Sequence, residues 1–331
     1  MSAAAAAEAL LAPIGDDMRR VEECLARETT SDIGPVRTIS GHTLLSGGKR
    51  LRPAVALLAA RTVGKRFPVH RATAAAAAVE LIHMATLMHD DVVDAADERR
   101  GRPTAGSVFG NGITVLTGDF LLAKSIQLLT RDEENLHLVR LFADVTVAMA
   151  EGEVLQASVA GDLSIDRGVY EDVIERKTAR FLAGCCEAGA LLGGGDSAEA
   201  AALRAYGHHS GMAFQIADDL LDLTGDPAVT GKPRGTDLRD GRVTLPLIHA
   251  LAQAPAADRA ALRGALGGDD LGDDAVEAVV DILRRCGALE TALGDARDRS
   301  ARAIGELERF PSSPFRDALS AFARYVVERD R

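Results

Sequence analysis

Residues 72–94 read ATAAAAAVELIHMATLMHDDVVD, and this run decides the fold. Its first two thirds are almost wholly alanine and aliphatic residues, strong helix formers with apolar positions at i, i+3 and i+4. It ends on Asp90, Asp91 and Asp94. At one turn per 3.6 residues Asp94 lies about 40° round the helix from Asp90 and Asp91 about 100°, so three carboxylates share one arc. The run is also broken by Glu80 and His83, which leaves it short of the ~20 apolar residues of a membrane helix, and no span is predicted from it.

The same helical spacing recurs outward in both directions while alternating strand patterns are scarce. Helices are predicted near 36–46, 53–63, 70–96, 112–129, 133–158, 169–193, 196–223, 243–253, 273–285, 287–308 and 313–328. The breaks fall at Gly47-Gly48, Gly101-Arg102-Pro103, Gly110-Asn111-Gly112, Gly193-Gly194-Gly195 and a long glycine- and proline-bearing stretch from Gly225 to Gly241. The expected fold class is all-α, one large helical bundle with the active-site cavity between helices. No composition shift marks a linker, so 1–331 is read as a single domain, with about 1–30 an N-terminal extension that is partly flexible. A connection as long as 225–240 inside a compact helical fold points to function or mobility.

Of 331 residues, 38 are Lys or Arg and 49 are Asp or Glu, a formal charge of −11. The resulting field repels polyanions, so nucleic acid is excluded as a general partner and an anionic membrane surface is disfavoured. Apolar residues make up 47% but aromatics only 4%, which calls for an aliphatic, alanine-rich core. Cys24, Cys185, Cys186 and Cys286 show no metal-binding spacing and read as buried thiols. The N-terminal alanine run lacks a basic flank and is soon followed by Glu8, Asp16 and Asp17, so a secretory signal is not expected and the protein is placed in the cytosol.

A second carboxylate set, Asp218, Asp219 and Asp222, repeats the first spacing late in another apolar helix. Acids near a helix C-terminus oppose the macrodipole and repel one another. As solvated helix ends, one such cluster would be unremarkable; two in matching apolar settings argue for bound cations. Oxygen donors with no His or Cys cage suit Mg²⁺, which takes a few carboxylates together with substrate phosphates. Cations placed to meet such phosphates occur in short bursts: Gly48-Lys49-Arg50-Leu51-Arg52-Pro53, Arg99-Arg100-Gly101, Lys177 and Lys232. Any one of these alone would read as a surface charge. Together, beside both acidic sets, they read as a diphosphate site.

Asp90-Asp91-Val92-Val93-Asp94, Arg99-Arg100-Gly101, Lys177-Thr178-Ala179, Phe214-Gln215, Asp218-Asp219-Leu220-Leu221-Asp222 and the Gly47–Pro53 segment, in this order, resemble the trans-polyprenyl diphosphate synthase family. The likeness runs from about Ser40 to the C-terminal Tyr325-Val326-Val327-Glu328-Arg329. It implies the isoprenoid synthase fold and head-to-tail condensation of isopentenyl diphosphate with an allylic diphosphate. By resemblance Asp90, Asp91, Asp94, Asp218, Asp219 and Asp222 hold Mg²⁺, about three ions per site, on the allylic diphosphate. Arg99, Lys177 and Lys232 complete that phosphate shell. Lys49, Arg52, His83 and Arg100 bind isopentenyl diphosphate, and Thr178 and Gln215 place the reacting carbons. The resemblance further implies a homodimer through helices such as 112–129 and 133–158, though some members pair with a small non-catalytic subunit. Short-chain members carry bulky aromatics one turn before the first motif. Small Ala85 and Thr86 stand there here, implying a product longer than about C20 for a quinone side chain, with a geranylgeranyl or farnesyl synthase as the alternative. Two positions depart from the pattern: Thr236 stands where an acid is expected and Arg242 where Lys is common.

Other readings cover less. An HD-type phosphohydrolase built on His83, His89 and Asp90 leaves the second acidic set unexplained. A terpene cyclase calls for a different second motif and an aromatic-lined cavity. A non-catalytic partner subunit sits poorly with a full complement of motif residues.

Overall fold

The computed structural model describes residues 10–45, 48–99, 101–225, 234–266 and 271–328. The fold is all-α, as expected. In chain order the helices are α1 (Gly15–Glu28), α2 (Gly34–Leu45), α3 (Leu51–Val63), α4 (Val69–Val93), α5 (Ala105–Phe109), α6 (Asn111–Thr130), α7 (Leu136–Ser158), α8 (Arg167–Ile174), α9 (Arg180–Leu192), α10 (Ser197–Thr224), α11 (Thr236–Arg239), α12 (Leu245–Gln253), α13 (Ala256–Leu266), α14 (Asp273–Arg285), α15 (Ala288–Glu306) and α16 (Pro314–Glu328). A two-residue antiparallel ribbon, β1 (Glu98–Arg99) against β2 (Arg102–Pro103), follows α4.

The alanine run makes α4 the spine. Ala72, Ala75, Ala76, Ala77 and Ala78 are all buried, so α3 and α6 approach its backbone closely and α1 packs along it. A central helix is apolar over most of its circumference, and α4 is so apart from Glu80, His83 and its two polar ends. α9 sits between α3 and α10, and α10 in turn packs on α15. Asp196 starts α10 by accepting from the amides of Ala198 and Glu199, while the Glu199 carboxylate accepts from the Asp196 amide, a reciprocal cap. A smaller cluster of Leu223, Leu238, Val243, Leu247, Val279, Val280 and Leu283 joins the end of α10 to α11, α12 and α14. Ile248 and Leu289 pack against both clusters and tie them together.

Four helices fall where none was expected. α1 hides its apolar stripe of Met18, Val21 and Leu25 among charges, and α13 buries only Leu262. α5 is a short turn capped by Thr104. α11 is a single turn whose start is fixed from a distance, as described below. The helix expected over 169–193 is three segments, because a π turn at Glu175–Ala179 separates α8 from α9. α6 is long and apolar enough to cross a bilayer by length and composition. Buried core helices pass the same test, and Thr114, Thr117, Leu121 and Leu128 of α6 are buried in the protein.

Candidate functional site

Both aspartate sets lie at helix C-termini, on α4 and on α10. Asp91 is 8% exposed, and the Arg99 guanidinium of the ribbon donates to it at 2.6 Å. The ribbon itself is pinned to α2, since Arg102 donates to the Leu45 carbonyl at 2.8 Å and His42 meets the Pro103 carbonyl at 3.0 Å. Asp90 is pushed up to about 6, first by burial and then by the neighbouring Glu153 carboxylate. Asp94, more exposed, takes the Arg242 guanidinium at 3.1 Å.

In the second set the three carboxylates have different surroundings. Asp218 is exposed on α10. Asp219, 4% exposed, accepts from the Tyr170 hydroxyl at 2.6 Å and from the Gln215 amide at 2.9 Å. Burial pushes it up to about 7 despite those two donors. Asp222 accepts from the backbone amides of Thr236 and Asp237, both at 3.1 Å. It therefore caps the N-terminus of α11, satisfying donors that a one-turn helix would leave orphaned. Thr236, where an acid was expected, contributes its backbone to this cap.

The capped turn presents Asp237, pushed up to about 8 by burial and by Asp219 and Asp222. Arg242 bridges from Asp237 at 3.3 Å and Asp240 at 3.4 Å to Asp94. A continuous polar path thus joins the two acidic sets: Asp94, Arg242, Asp237, Asp222. The Gly161 amide donates to the Gly241 carbonyl at 2.8 Å, which braces this segment against the turn after α7.

Lys177 lies in the π turn and meets Glu153 of α7 at 2.8 Å. Two glycines allow the turn to be gripped. A Cβ at Gly152 would sit 2.8 Å from the Lys177 amide nitrogen, and one at Gly211 would sit 2.6 Å from Cα of Ala179. Thr178 donates to the Gln215 side-chain carbonyl at 2.9 Å. π turns of this kind are frequent at functional sites.

The basic segment is held by Arg50. Its φ of 47° puts it in the left-handed region, at a cost of roughly 1–2 kcal/mol. Three partners offset that cost: Glu22 at 2.7 Å, buried Glu80 at 2.8 Å and the Leu44 carbonyl at 3.0 Å. With Arg50 turned inward, Lys49 reaches the Tyr325 hydroxyl of α16 at 2.6 Å, and Arg52 meets His83 at 3.0 Å while stacking on Phe181. His89 instead faces α6, meeting the Val115 carbonyl at 3.2 Å and Asp119 at 3.4 Å. His83 and His89 therefore serve different neighbours, which removes the shared metal site of a phosphohydrolase.

Ala85 is 1% exposed, whereas Thr86 is half-buried one turn before Asp90 and donates to the His83 carbonyl. Arg100 and Lys232, both expected at the site, lie outside the described residues. Tyr170, Glu153 and Asp237 were not assigned from sequence, and Tyr325 entered only as the end of the resemblance. Asp237 does sit in the long glycine-rich stretch, with Arg242 directly after its last glycine, and that was the available signal. Tyr170 looks like any apolar-face aromatic until the fold brings α8 against α10.

The donors present are carboxylates alone, and burial, with neighbouring carboxylates adding to it, makes Asp90, Asp219 and Asp237 resist ionisation. That chemistry fits hard divalent cations shared with phosphate oxygens. Among the described residues, no ready-made cluster of three or more His, Cys, Asp or Glu converges on one metal position. A cation here needs ligands from the substrate as well.

Residues 35–283 match the polyprenyl synthetase family. The octaprenyl diphosphate synthase of Escherichia coli is 37% identical over 315 residues, 95% of this chain and 96% of that one. A short chain isoprenyl diphosphate synthase of Methanothermobacter thermautotrophicus is also 37% identical, over 92% of this chain and 94% of the other. A polyprenyl synthase from Caulobacter crescentus, solved with calcium and isoprenyl diphosphate, superposes with a TM-score of 0.92 at 36% identity and covers 98% of both chains.

Proposed function

This chain belongs to the polyprenyl synthetase family and is a prenyltransferase, and on that premise we propose that it joins isopentenyl diphosphate head-to-tail to an allylic diphosphate, giving a long-chain trans-polyprenyl diphosphate. The observation that carries this reading is the convergence of both acidic sets through Arg242 and Asp237, with Lys177 and the Lys49–Arg52–His83 group on neighbouring elements.

Asp90, Asp94 and Asp218 would hold Mg²⁺ on the allylic diphosphate between the acidic sets, with Asp91, Asp219 and Asp222 supporting them. Bound Mg²⁺ neutralises charge that grows on the departing diphosphate. Arg99, Lys177 and Lys232 act on the same charge, and Arg242 joins them. Each stabilises the ionised state more than the ground state, which is what accelerates the step. Lys49, Arg52, His83 and Arg100 hold isopentenyl diphosphate, while Thr178 and Gln215 place the reacting carbons. No protein nucleophile is needed. A divalent cation is in keeping with the calcium in the Caulobacter neighbour.

Relatives of equal identity make octaprenyl and short-chain products, so identity alone does not fix length. The small Ala85 and Thr86 favour the longer product. The test is incubation with labelled isopentenyl diphosphate, Mg²⁺ and dimethylallyl, geranyl, farnesyl or geranylgeranyl diphosphate, with products sized by reverse-phase chromatography. Elongation beyond about C20 is expected; no elongation of any primer would sink the reading.

The same reading takes the chain as one domain, acting in the cytosol as a homodimer. Leu116 and Ile126 on α6 and Val147 and Val154 on α7 are at least half exposed, an apolar face of the kind that partners cover. A purified protein that sediments at monomer mass would count against the dimer.

Metal dependence should also appear without turnover. Asp90, Asp219 and Asp237 rise from 3.8 to about 6, about 7 and about 8. The folded protein therefore binds protons more tightly than the unfolded chain, so stability falls as pH rises from about 4 to about 8 through these groups. Without metal, Tm is expected to be lower at pH 8 than at pH 6. Mg²⁺ relieves the repulsion and should raise Tm more at pH 8. A Mg²⁺ shift that is equal or larger at pH 6 would contradict the assignment.

A further inference from the structure

Tyr170 and Thr178 belong to one helical run, α8 and the π turn after it, and both are tied to α10 through one buried carboxylate. Tyr170, 4% exposed, donates to Asp219 Oδ2 at 2.6 Å; Gln215 donates to Asp219 Oδ1 at 2.9 Å; Thr178 donates to Gln215 Oε1 at 2.9 Å. The four groups form a closed bracket from the helical run to α10 and back.

The chemistry of each group orders the next. Asp219 accepts at both oxygens, so Gln215 presents its amide nitrogen to it and leaves the amide oxygen for Thr178. The Tyr170 hydroxyl fills the other oxygen, which would otherwise be a buried acceptor without a donor. We infer that Tyr170 is a positioning residue for catalysis: acting through Asp219, Gln215 and Thr178, it fixes the π turn that aims Lys177 at the diphosphate. This rests on the reading of Lys177 as a diphosphate contact. It also gives Asp219 a different task from Asp218, since both of its oxygens are engaged by protein donors.

Arg176 and Lys177 also bond from the turn to Glu151 and Glu153 of α7, but those are long side chains meeting at a partly exposed edge, whereas the bracket ties the turn to the buried face of α10. Gly152 and Gly211 permit close approach of α7 and α10, but they supply no directional bond. The bracket supplies three.

The test uses the full-length enzyme. Tyr170→Phe removes one hydroxyl and keeps the ring that fills the core. It is expected to lower kcat about tenfold, the effect of losing one hydrogen bond to a charged group, with KM for isopentenyl diphosphate within about twofold of wild type. Backbone amides of Glu175–Ala179 should exchange with deuterium faster in this variant than in wild type, with the rest of α9 unchanged. Thr178→Val should lose a similar factor and Thr178→Ser should regain it. The double variant Tyr170→Phe/Thr178→Val should be no slower than the worse single, because both cut one bracket. The inference is overturned if Tyr170→Phe turns over at the wild-type rate even with a lowered Tm, if exchange rises evenly through the fold, or if the two losses multiply. Absence of elongation by the wild type would instead sink the prenyltransferase reading.

Discussion

Asp90→Asn is expected to turn over ~10³-fold more slowly than wild type, while its metal-free form melts no lower than the parent. The two halves of this result come from one observation. Asp90 is pushed up to about 6 because it is buried beside Glu153, so its charge is costly to the folded protein when no cation is present. Asparagine keeps the shape and removes the charge. Stability is therefore retained, while a negative ligand for the metal–diphosphate pair is lost. Incorporation of labelled isopentenyl diphosphate measures the first effect and thermal melts with and without Mg²⁺ measure the second. Turnover within tenfold of wild type, or an undiminished Mg²⁺ shift, would remove Asp90 from the metal site.

Thr86→Phe is expected to shorten the product to about C20 or below with turnover largely kept. On the proposed reading, a chain elongating from a diphosphate at Asp90 would advance about one helical turn, ~5 Å, per five-carbon unit along α4. Thr86 is one turn away on the same face and only half buried. A phenyl ring there blocks the path at its start. Ala85, suggested equally by the sequence, is 1% exposed in the packed core. Phenylalanine at that position would overpack the core at a cost of roughly 1–3 kcal/mol, so length and stability would change together. The Thr86 variant separates them. An unchanged product distribution by reverse-phase chromatography would refute the tunnel along this face.

The elements that were legible are those whose information is local. The alanine run of α4, the apolar spacing of α10 and the glycine breaks located the main helices within a few residues. Both aspartate sets could be named because motif spacing on a helix is itself a geometry, whereas Thr178 and Gln215 were named only through the family resemblance. What could not be read depends on partners remote in sequence. α11 exists because Asp222 caps it from another helix, so no local propensity announces it. The interruption between α8 and α9 is accommodated by glycines on α7 and α10, which do not neighbour it in sequence. Arg50 looks like one more phosphate-binding cation beside Lys49 and Arg52, yet Glu22 and Glu80 turn it into the fastener of that loop. Tyr170 carries no signal until Asp219 is beside it.

A π turn is an α-helix carrying one residue too many, and at Glu175–Ala179 that surplus residue is a matter of codon count. Deleting a single residue from the turn would let α8 and α9 fuse into one regular helix. Everything on the N-terminal side would then rotate by about 100° relative to α9. Lys177 would swing off Glu153, and Tyr170 would lose its register with Asp219. Point substitutions change what this segment says, whereas a three-nucleotide deletion changes where it points. Among related genes, the segment between Tyr170 and Arg180 should therefore tolerate replacement far better than any change of length.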